Sequence, residues 1–385
     1  MSDPIVVAGA ARTPMGAFQG ELSGFSAPQL GSVAIRAAVE RAGLPGDAVS
    51  EVVMGCVLPA GLGQAPARQA ALGAGLSEAT PCATLNKVCG SGMKAIMLGH
   101  DMIAAGSAEV VVAGGMESMS NAPYLLDKAR AGQRLGHGRL LDHMFLDGLE
   151  DAYDRGRLMG SFADDTAQHY RFSREAQDAY ALESLDRAKR ATEAGAFAGE
   201  IVPVGDVRRD EGPRRARPDK VPTLKPAFRP DGTVTAANAS SISDGAAALV
   251  LMRRSRAERG AVPLGVICGH ASHAAAPAWF STAPVGAIAK LLDKVGWRAG
   301  EVDLYEINEA FAVVAMAAMR DLGLPHERVN VHGGACALGH PIGASGARIV
   351  VTLLAALART GGRRGIAALC IGGGEATAIA VERLS

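Results

Sequence analysis

Val110-Val111-Val112-Ala113-Gly114-Gly115 is an unbroken apolar run closed by glycines, and the stretch that feeds it, opened by Ser91-Gly92, has helical spacing over residues 92–105. The same order recurs far downstream. Ser345-Gly346 opens a second helical stretch, within residues 343–360, that leads to Leu369-Cys370-Ile371-Gly372-Gly373-Gly374. A strand that is apolar at every position has both faces buried, so each run belongs inside a covered sheet rather than at a wetted surface. Two units that read SG, helix, apolar strand and glycines imply two similar α/β halves packed together.

The rest of the chain fits this reading. Further strands are expected at residues 5–8, 51–56, 109–113, 248–252, 265–269, 302–307 and 366–371, and further helices at 28–42 and 309–322. Strands that alternate with helices indicate an α/β fold with mostly parallel sheets. From about residue 121 to 240 the composition changes. Charge-rich helical stretches such as Arg174-Glu175-Ala176-Gln177-Asp178-Ala179-Tyr180 give way to a basic, Pro-containing run, Arg208-Arg209-Asp210-Glu211-Gly212-Pro213-Arg214-Arg215-Ala216-Arg217-Pro218-Asp219-Lys220. The division expected is therefore 1–120, completed by about 241–263, then an inserted loop domain at 121–240, then 264–385. The basic run reads either as a solvated loop or as a contact for phosphates of a nucleotide-like ligand.

Bulk properties exclude several classes. The 385 residues carry 39 Lys+Arg against 39 Asp+Glu, so no global field holds nucleic acid or an anionic membrane. Met1-Ser2-Asp3-Pro4 has neither a basic lead-in nor a following long apolar stretch, and no uncharged apolar run reaches the length of a membrane span. Cysteines 56, 82, 89, 268, 336 and 370 form no CxxC pair, which argues against a disulfide framework or a structural zinc and for reduced thiols in a cytoplasmic enzyme.

Four segments carry candidate chemistry. In Asn86-Lys87-Val88-Cys89-Gly90-Ser91-Gly92, a cysteine stands where a helix begins, and there the positive helix end and free N–H groups favour a thiolate. A lone cysteine is more often a small buried hydrophobe, so position alone does not decide. In Gly339-His340-Pro341-Ile342-Gly343, a histidine held in a Gly/Pro-rich turn has the placement of a base for such a thiol. Cys370 ends an apolar strand before Gly372-Gly373-Gly374, at a sheet edge where ligands gather and where glycine N–H groups can hold an oxyanion. Asn308-Glu309-Ala310-Phe311-Ala312 follows a strand, and Asn308 reads equally as a plain helix N-cap.

Together, in this order and along the whole chain, these segments resemble the thiolase family. The residues 333–348 around His340 resemble its histidine segment, and Asn308–Ala312 its NEAF motif. The resemblance implies the thiolase fold: two similar halves with mixed five-stranded sheets in layers, plus the loop domain. It implies reversible condensation of two acetyl-CoA to acetoacetyl-CoA and CoA through an acyl-enzyme. Cys89 would take the acyl group, His340 would ionise it, and Cys370 would move the α-carbon proton of the second substrate. Asn308 would place a water that, with His340, holds that substrate's thioester oxygen, while the N–H groups of Cys89 and Gly372 hold the acyl oxygen. No cofactor is implied beyond the CoA thioesters acetyl-CoA and acetoacetyl-CoA, and CoA itself. Ser240 and Ala236, in Thr235-Ala236-Ala237-Asn238-Ala239-Ser240, would lie along the pantetheine arm; Leu149, Leu158, Phe280, Ala310 and Phe311 would also bind the CoA substrate, Leu158 and Phe280 at the acyl pocket. A homotetramer or homodimer is expected.

Four positions depart from the acetoacetyl-CoA-forming members: Leu158 replaces a frequent histidine, Phe280 a methionine, His332 an asparagine, and Glu375 an apolar residue or glutamine. A bulky Phe280 favours short acyl chains by filling the pocket floor. The rival readings are a degradative 3-ketoacyl-CoA thiolase of broad chain length and a non-catalytic lipid-binding protein on the same fold. A decarboxylating ketosynthase would use two histidines, or a histidine and an asparagine, with its cysteine, and Cys370 argues against that.

Overall fold

The computed structural model describes residues 3–260 and 262–384. Its main sheet runs in the order Cys82–Leu85, Glu51–Gly55, Val110–Ser118, Ser243–Arg253, Ile5–Arg12, Gly265–Ala274, Glu375–Glu382, Arg364–Ile371, Leu304–Ile307. Gly16–Ala17 adds a short pairing to Ser243–Arg253. The first five strands form one half and the last four the other, where five apiece were expected. Among the described residues, the strand pairing that joins the two is that of Val6 and Val7 with Val266 and Gly265.

The sheet is mixed rather than mostly parallel. Glu51–Gly55 is parallel to both its neighbours, and Leu304–Ile307 is parallel to Arg364–Ile371; the other main pairings are antiparallel. The triplet Gly372-Gly373-Gly374 is the reason at one end. A connection this short can only reverse the chain, so Glu375–Glu382 returns antiparallel beside Arg364–Ile371. Glu375–Glu382 and Cys82–Leu85 were not read as strands from sequence.

Alternation along the strands builds the layers. Val110 and Val112 face a core shared with helices Ala27–Arg41 and Pro66–Gly73, while Val111 and Ala113 face a central core. In the second half, Ile366, Ala368 and Cys370 face helices Ala283–Val295 and Ala312–Leu322, and Ala367 and Leu369 face the same central core. That core is filled by helices Ser91–Ala105 and Ile342–Thr360. The result is five layers, helix, sheet, helix, sheet, helix, with the inner strands Ile5–Arg12, Val110–Ser118, Ser243–Arg253 and Arg364–Ile371 buried on both faces. Ile342–Thr360 is long and apolar enough to cross a membrane, and 83% of its apolar window is buried in the molecule. Its apolarity all round follows from having protein on every side.

The repeated SG pair now has a structural cause. A Cβ on Gly92 would come within 2.8 Å of Ala347 N, and one on Gly346 within 2.5 Å of Met93 N. Each glycine lets the other central helix approach at backbone distance, so the two helices cross where both begin.

The segment 121–240 holds helices Met159–Tyr170 and Arg174–Glu193, the latter capped by the Ser173 side chain, and a hairpin of Tyr124–Leu126 with Leu140–Asp142. It is tied to the first strand by Arg12, fully buried, whose guanidinium meets Glu200 at 2.5 Å and Asp210 at 2.7 and 2.9 Å.

Candidate active site

Cys89 sits on a tight turn between Cys82–Leu85 and the first central helix. Val88 adopts φ 45°, a left-handed conformation that a β-branched residue rarely takes. Hydrogen bonds hold it there: Asn86 Oδ1 accepts from Val88 N (2.8 Å), and the Ser91 hydroxyl accepts from Lys87 N (2.8 Å) and donates to Val88 O (2.7 Å). This is the strained strand-to-helix geometry that presents a nucleophile. Lys87 and Glu375 pair at 2.5 Å, so Glu375, a departure from the family pattern, fastens this turn to the glycine-triplet loop.

Cys89 is half-buried, and burial pushes its thiol up to about 11. The backbone N–H groups of Gly372 and of Cys89 itself pull the other way, while the Glu117 carboxylate adds to the rise. The expectation of a thiol lowered by the helix end is thus reversed in the substrate-free chain. Desolvation outweighs the N–H groups, and the resting group is a thiol that needs a base. Cys370 is fully buried, and its thiol is raised well above the ordinary range by burial and by Cys89 as its charged neighbour.

His340 is buried, and burial followed by repulsion from Arg348 holds its imidazole down at about 3. The ring is therefore neutral at physiological pH. Its Nδ1 lies 2.5 Å from Ser345 Oγ, and that hydroxyl donates to Pro341 O at 2.9 Å. With the hydroxyl proton so used, Nδ1 is the donor and Nε2 is left unprotonated as the basic nitrogen. Asn308 Nδ2 lies 3.5 Å from Nε2, and Asn308 Oδ1 is buried with no protein partner. Asn308 is not a helix cap. The helix begins at Ala312 with Phe311 as N-cap, and Asn308 N bonds Ala368 O in extended chain.

Two carboxylates that the sequence reading passed over hold this frame. Glu117 accepts from Val57 N, Leu58 N and Gly343 N at 3.0, 3.1 and 2.9 Å, which joins the nucleophile half to the start of the histidine helix. Burial raises it to about 7, and those three N–H groups oppose the rise. Glu309, fully buried, accepts from Tyr180 (2.9 Å), Ser184 (2.8 Å), Asn330 (2.8 Å) and Cys336 N (3.0 Å) and anchors the Asn308 loop. Glu117 lies near the end of the apolar strand Val110–Ser118 and Glu309 two residues past Leu304–Ile307, and a carboxylate in such a place signals a buried hydrogen-bonding role.

Of the expected pocket residues, Leu149 packs with Cys89 in one cluster with Val57, Leu58, Met119, Met144 and Ile342. Phe280 and Phe311 are buried and meet edge-on at 6.3 Å, and Ala310 lies beside them in the same core. Leu158 immediately precedes helix Met159–Tyr170, whose Met159 reaches toward Gly372. A cleft of about 560 Å³ is lined by Ala236, Ser241 and Cys336 on one side and by Arg215, Arg217 and Lys220 on the other. Ser240 lies next to this lining with its N–H bonded to Ala310 O at 2.9 Å, and Ser241 rather than Ser240 faces the cleft.

Comparison with known proteins agrees with this architecture. Residues 5–255 match the family model for the thiolase N-terminal domain and residues 261–383 that for the thiolase C-terminal domain. The chain is 51% identical to acetyl-CoA acetyltransferase 2 of Arabidopsis thaliana, over 99% of this chain and 97% of the relative. It is 49% identical to an acetyl-CoA acetyltransferase of Pseudomonas aeruginosa over the full length of both. A thiolase from Ascaris suum, solved in complex with coenzyme A, superimposes with a TM-score of 0.95 at 44% identity, covering 99% of this chain and all of that one.

Proposed function

The chain belongs to the thiolase family, and on that premise we propose how its residues carry the activity of an acetyl-CoA acetyltransferase, the name its relatives bear along their whole length. It is an acyltransferase that interconverts two acetyl-CoA with acetoacetyl-CoA and CoA. The observation that carries the assignment of roles is the packing of the Cys89 turn on the glycine-triplet loop, where a Cβ on Gly90 would meet Ile371 at 2.4 Å and one on Gly372 would meet Val88 at 3.8 Å.

In the first half-reaction His340 Nε2 takes the Cys89 proton as the sulfur attacks the acyl carbonyl. The oxygen of the tetrahedral adduct rests on the N–H groups of Cys89 and Gly372, and CoA leaves as its thiol with the proton from His340. The N-termini of both central helices point into this space and favour the transient negative charge. In the second half-reaction Cys370 passes its proton to His340 Nε2 and, as thiolate, takes an α-proton from acetyl-CoA. The enolate oxygen is held by a water on Asn308 together with the now protonated His340; the carbanion displaces Cys89 as thiolate, and His340 returns its proton to that sulfur. Thiolysis is the same path reversed. Neither half calls for a prosthetic group, and CoA thioesters are the only small molecules required.

The basic lining of the 560 Å³ cleft, Arg215, Arg217 and Lys220, is the place for the CoA phosphates, with Ala236 and Ser241 along the pantetheine arm and Ser240 beside them. Phe280, packed on Phe311, limits acyl length, which favours the short-chain reaction over broad-length degradation. The exposed side chains of Leu126, Leu135 and Leu140 on and around the Tyr124–Leu126 hairpin support assembly as a tetramer through that arm. We place the enzyme in the cytoplasm, in keeping with its six free thiols.

The test is CoA-dependent cleavage of 3-ketoacyl-CoA esters of increasing chain length. Acetoacetyl-CoA is expected to be the best substrate. A longer ester cleaved equally well removes the short-chain reading, and failure to cleave any ester removes the enzymatic one.

A further inference from the structure

His100 and Asp101, late in the helix Ser91–Ala105, meet His270 on the strand Gly265–Ala274. Asp101 Oδ1 lies 3.1 Å from His100 Nδ1 and 2.9 Å from His270 Nε2, and the three donor atoms all fall within 4.8 Å of one another. The imidazole planes stand 83° apart with centroids at 5.2 Å, so the rings converge on the carboxylate without stacking. The histidine side chains keep only 21% and 12% of their exposure, while Asp101 keeps 53%. The group is thus sheltered on its imidazole side and open to water through the carboxylate. No step of acyl transfer uses these residues. His100 is eleven positions beyond Cys89, or about 16 Å along a helix.

We propose that His100, Asp101 and His270 form a site for a divalent transition-metal ion, zinc by preference, that staples the central helix of the first half to the opening strand of the second. Two imidazoles and one carboxylate are a donor set that suits zinc and its neighbours, with water completing the shell. Ligand bonds of about 2.0–2.1 Å around a tetrahedral ion place donor atoms roughly 3.3 Å apart; the separations of 3.1 and 2.9 Å to the Asp101 oxygen need to open by a few tenths of an ångström, and the two imidazole nitrogens, within 4.8 Å of each other, close by a small rotation of the rings. One positive charge stands nearby. Lys294 Nζ bonds the His270 carbonyl at 3.0 Å, and it lowers affinity without occupying a donor atom. The staple bridges a seam at which, among the described residues, the sheet pairs just Val6 and Val7 with Val266 and Gly265, so the ion should act on stability and leave the chemistry alone.

The proposal is independent of the reading of the active site. Zinc and cobalt(II), as the ions alone, are titrated into the metal-free full-length protein, with calorimetry, melting temperature and the cobalt absorption spectrum as readouts. The expected result is one saturable equivalent, a rise in melting temperature, and a cobalt spectrum without a thiolate charge-transfer band. His100→Gln and His270→Gln should each weaken binding by about tenfold or more while thiolysis stays at the parent rate. If either variant is poorly folded, Asp101→Asn serves in its place. Absence of saturable uptake, uptake unchanged in these variants, or a thiolate band that reports capture by the active-site cysteines would each overturn it.

Discussion

At Cys89 and His340 the surroundings invert what the free side chains would do. The thiol is harder to ionise than in water, and the imidazole is far harder to protonate. Proton transfer between them is therefore gated by substrate rather than complete at rest. Cys89→Ala should abolish both thiolysis and condensation, and His340→Ala should slow acylation by about two to four orders of magnitude, read as kcat/KM for acetoacetyl-CoA. Since His340 titrates near 3, that profile should show no acid limb at the pH of a free histidine. The same shift reaches stability. Between pH 6.5 and about 3 the unfolded chain binds a proton at this position that the folded chain refuses, so its contribution is complete above 6.5 and is lost as pH falls toward 3. Urea midpoints across that window should fall more steeply for the parent than for His340→Asn; parallel curves would refute the assignment. The identities of these residues were legible in sequence because each stands beside a turn of small residues. Their protonation states were not, because desolvation is a property of the assembled layers.

The two central helices carry the site on their first turns, and the glycines of the SG repeat set how closely those turns meet. Gly346→Ala places a methyl group 2.5 Å from Met93 N. The helices must then part, and the cost should appear as a loss of at least about tenfold in kcat, from misplacement of Cys89 against His340, together with a lower melting temperature. Gly361→Ala, at the far end of the same helix, meets no atom; its φ of 74° strains the cap, so it should lower stability without touching kcat. A matched loss of kcat in both would show that the contact at Gly346 is not special. The repeat was visible as a pattern, and the helices 92–105 and 343–360 were placed within a residue of their observed bounds. What failed was the strand after the glycine triplet. Glu375-Ala376-Thr377-Ala378 is short of the β-branched and aromatic residues that mark strands, and its place is imposed by pairing on both sides.

Over the whole molecule, the inserted segment is held by charge as much as by apolar packing. Arg12→Met would leave Glu200 and Asp210 buried without their cation, at a cost of about 3–5 kcal/mol in urea denaturation. Adding Glu200→Gln and Asp210→Asn to that variant should restore part of the loss, since the penalty lies in the orphaned carboxylates; a further fall would show that Arg12 acts through shape alone. These partners stand almost two hundred residues apart, and nothing local in the sequence links them. The order of the sheet has a further consequence, for synthesis. Ser243–Arg253 lies between Ile5–Arg12 and Val110–Ser118, so a growing chain can close no more than the outer part of its first sheet until residue 253 has left the ribosome. The inner face of that sheet, covered until then by Ser91–Ala105 alone, stays partly open until Ile342–Thr360 emerges near the end of translation. For most of its synthesis the nascent chain displays an apolar surface that its own missing helix will later cover, and this makes it a natural client for chaperones that shield unfinished chains.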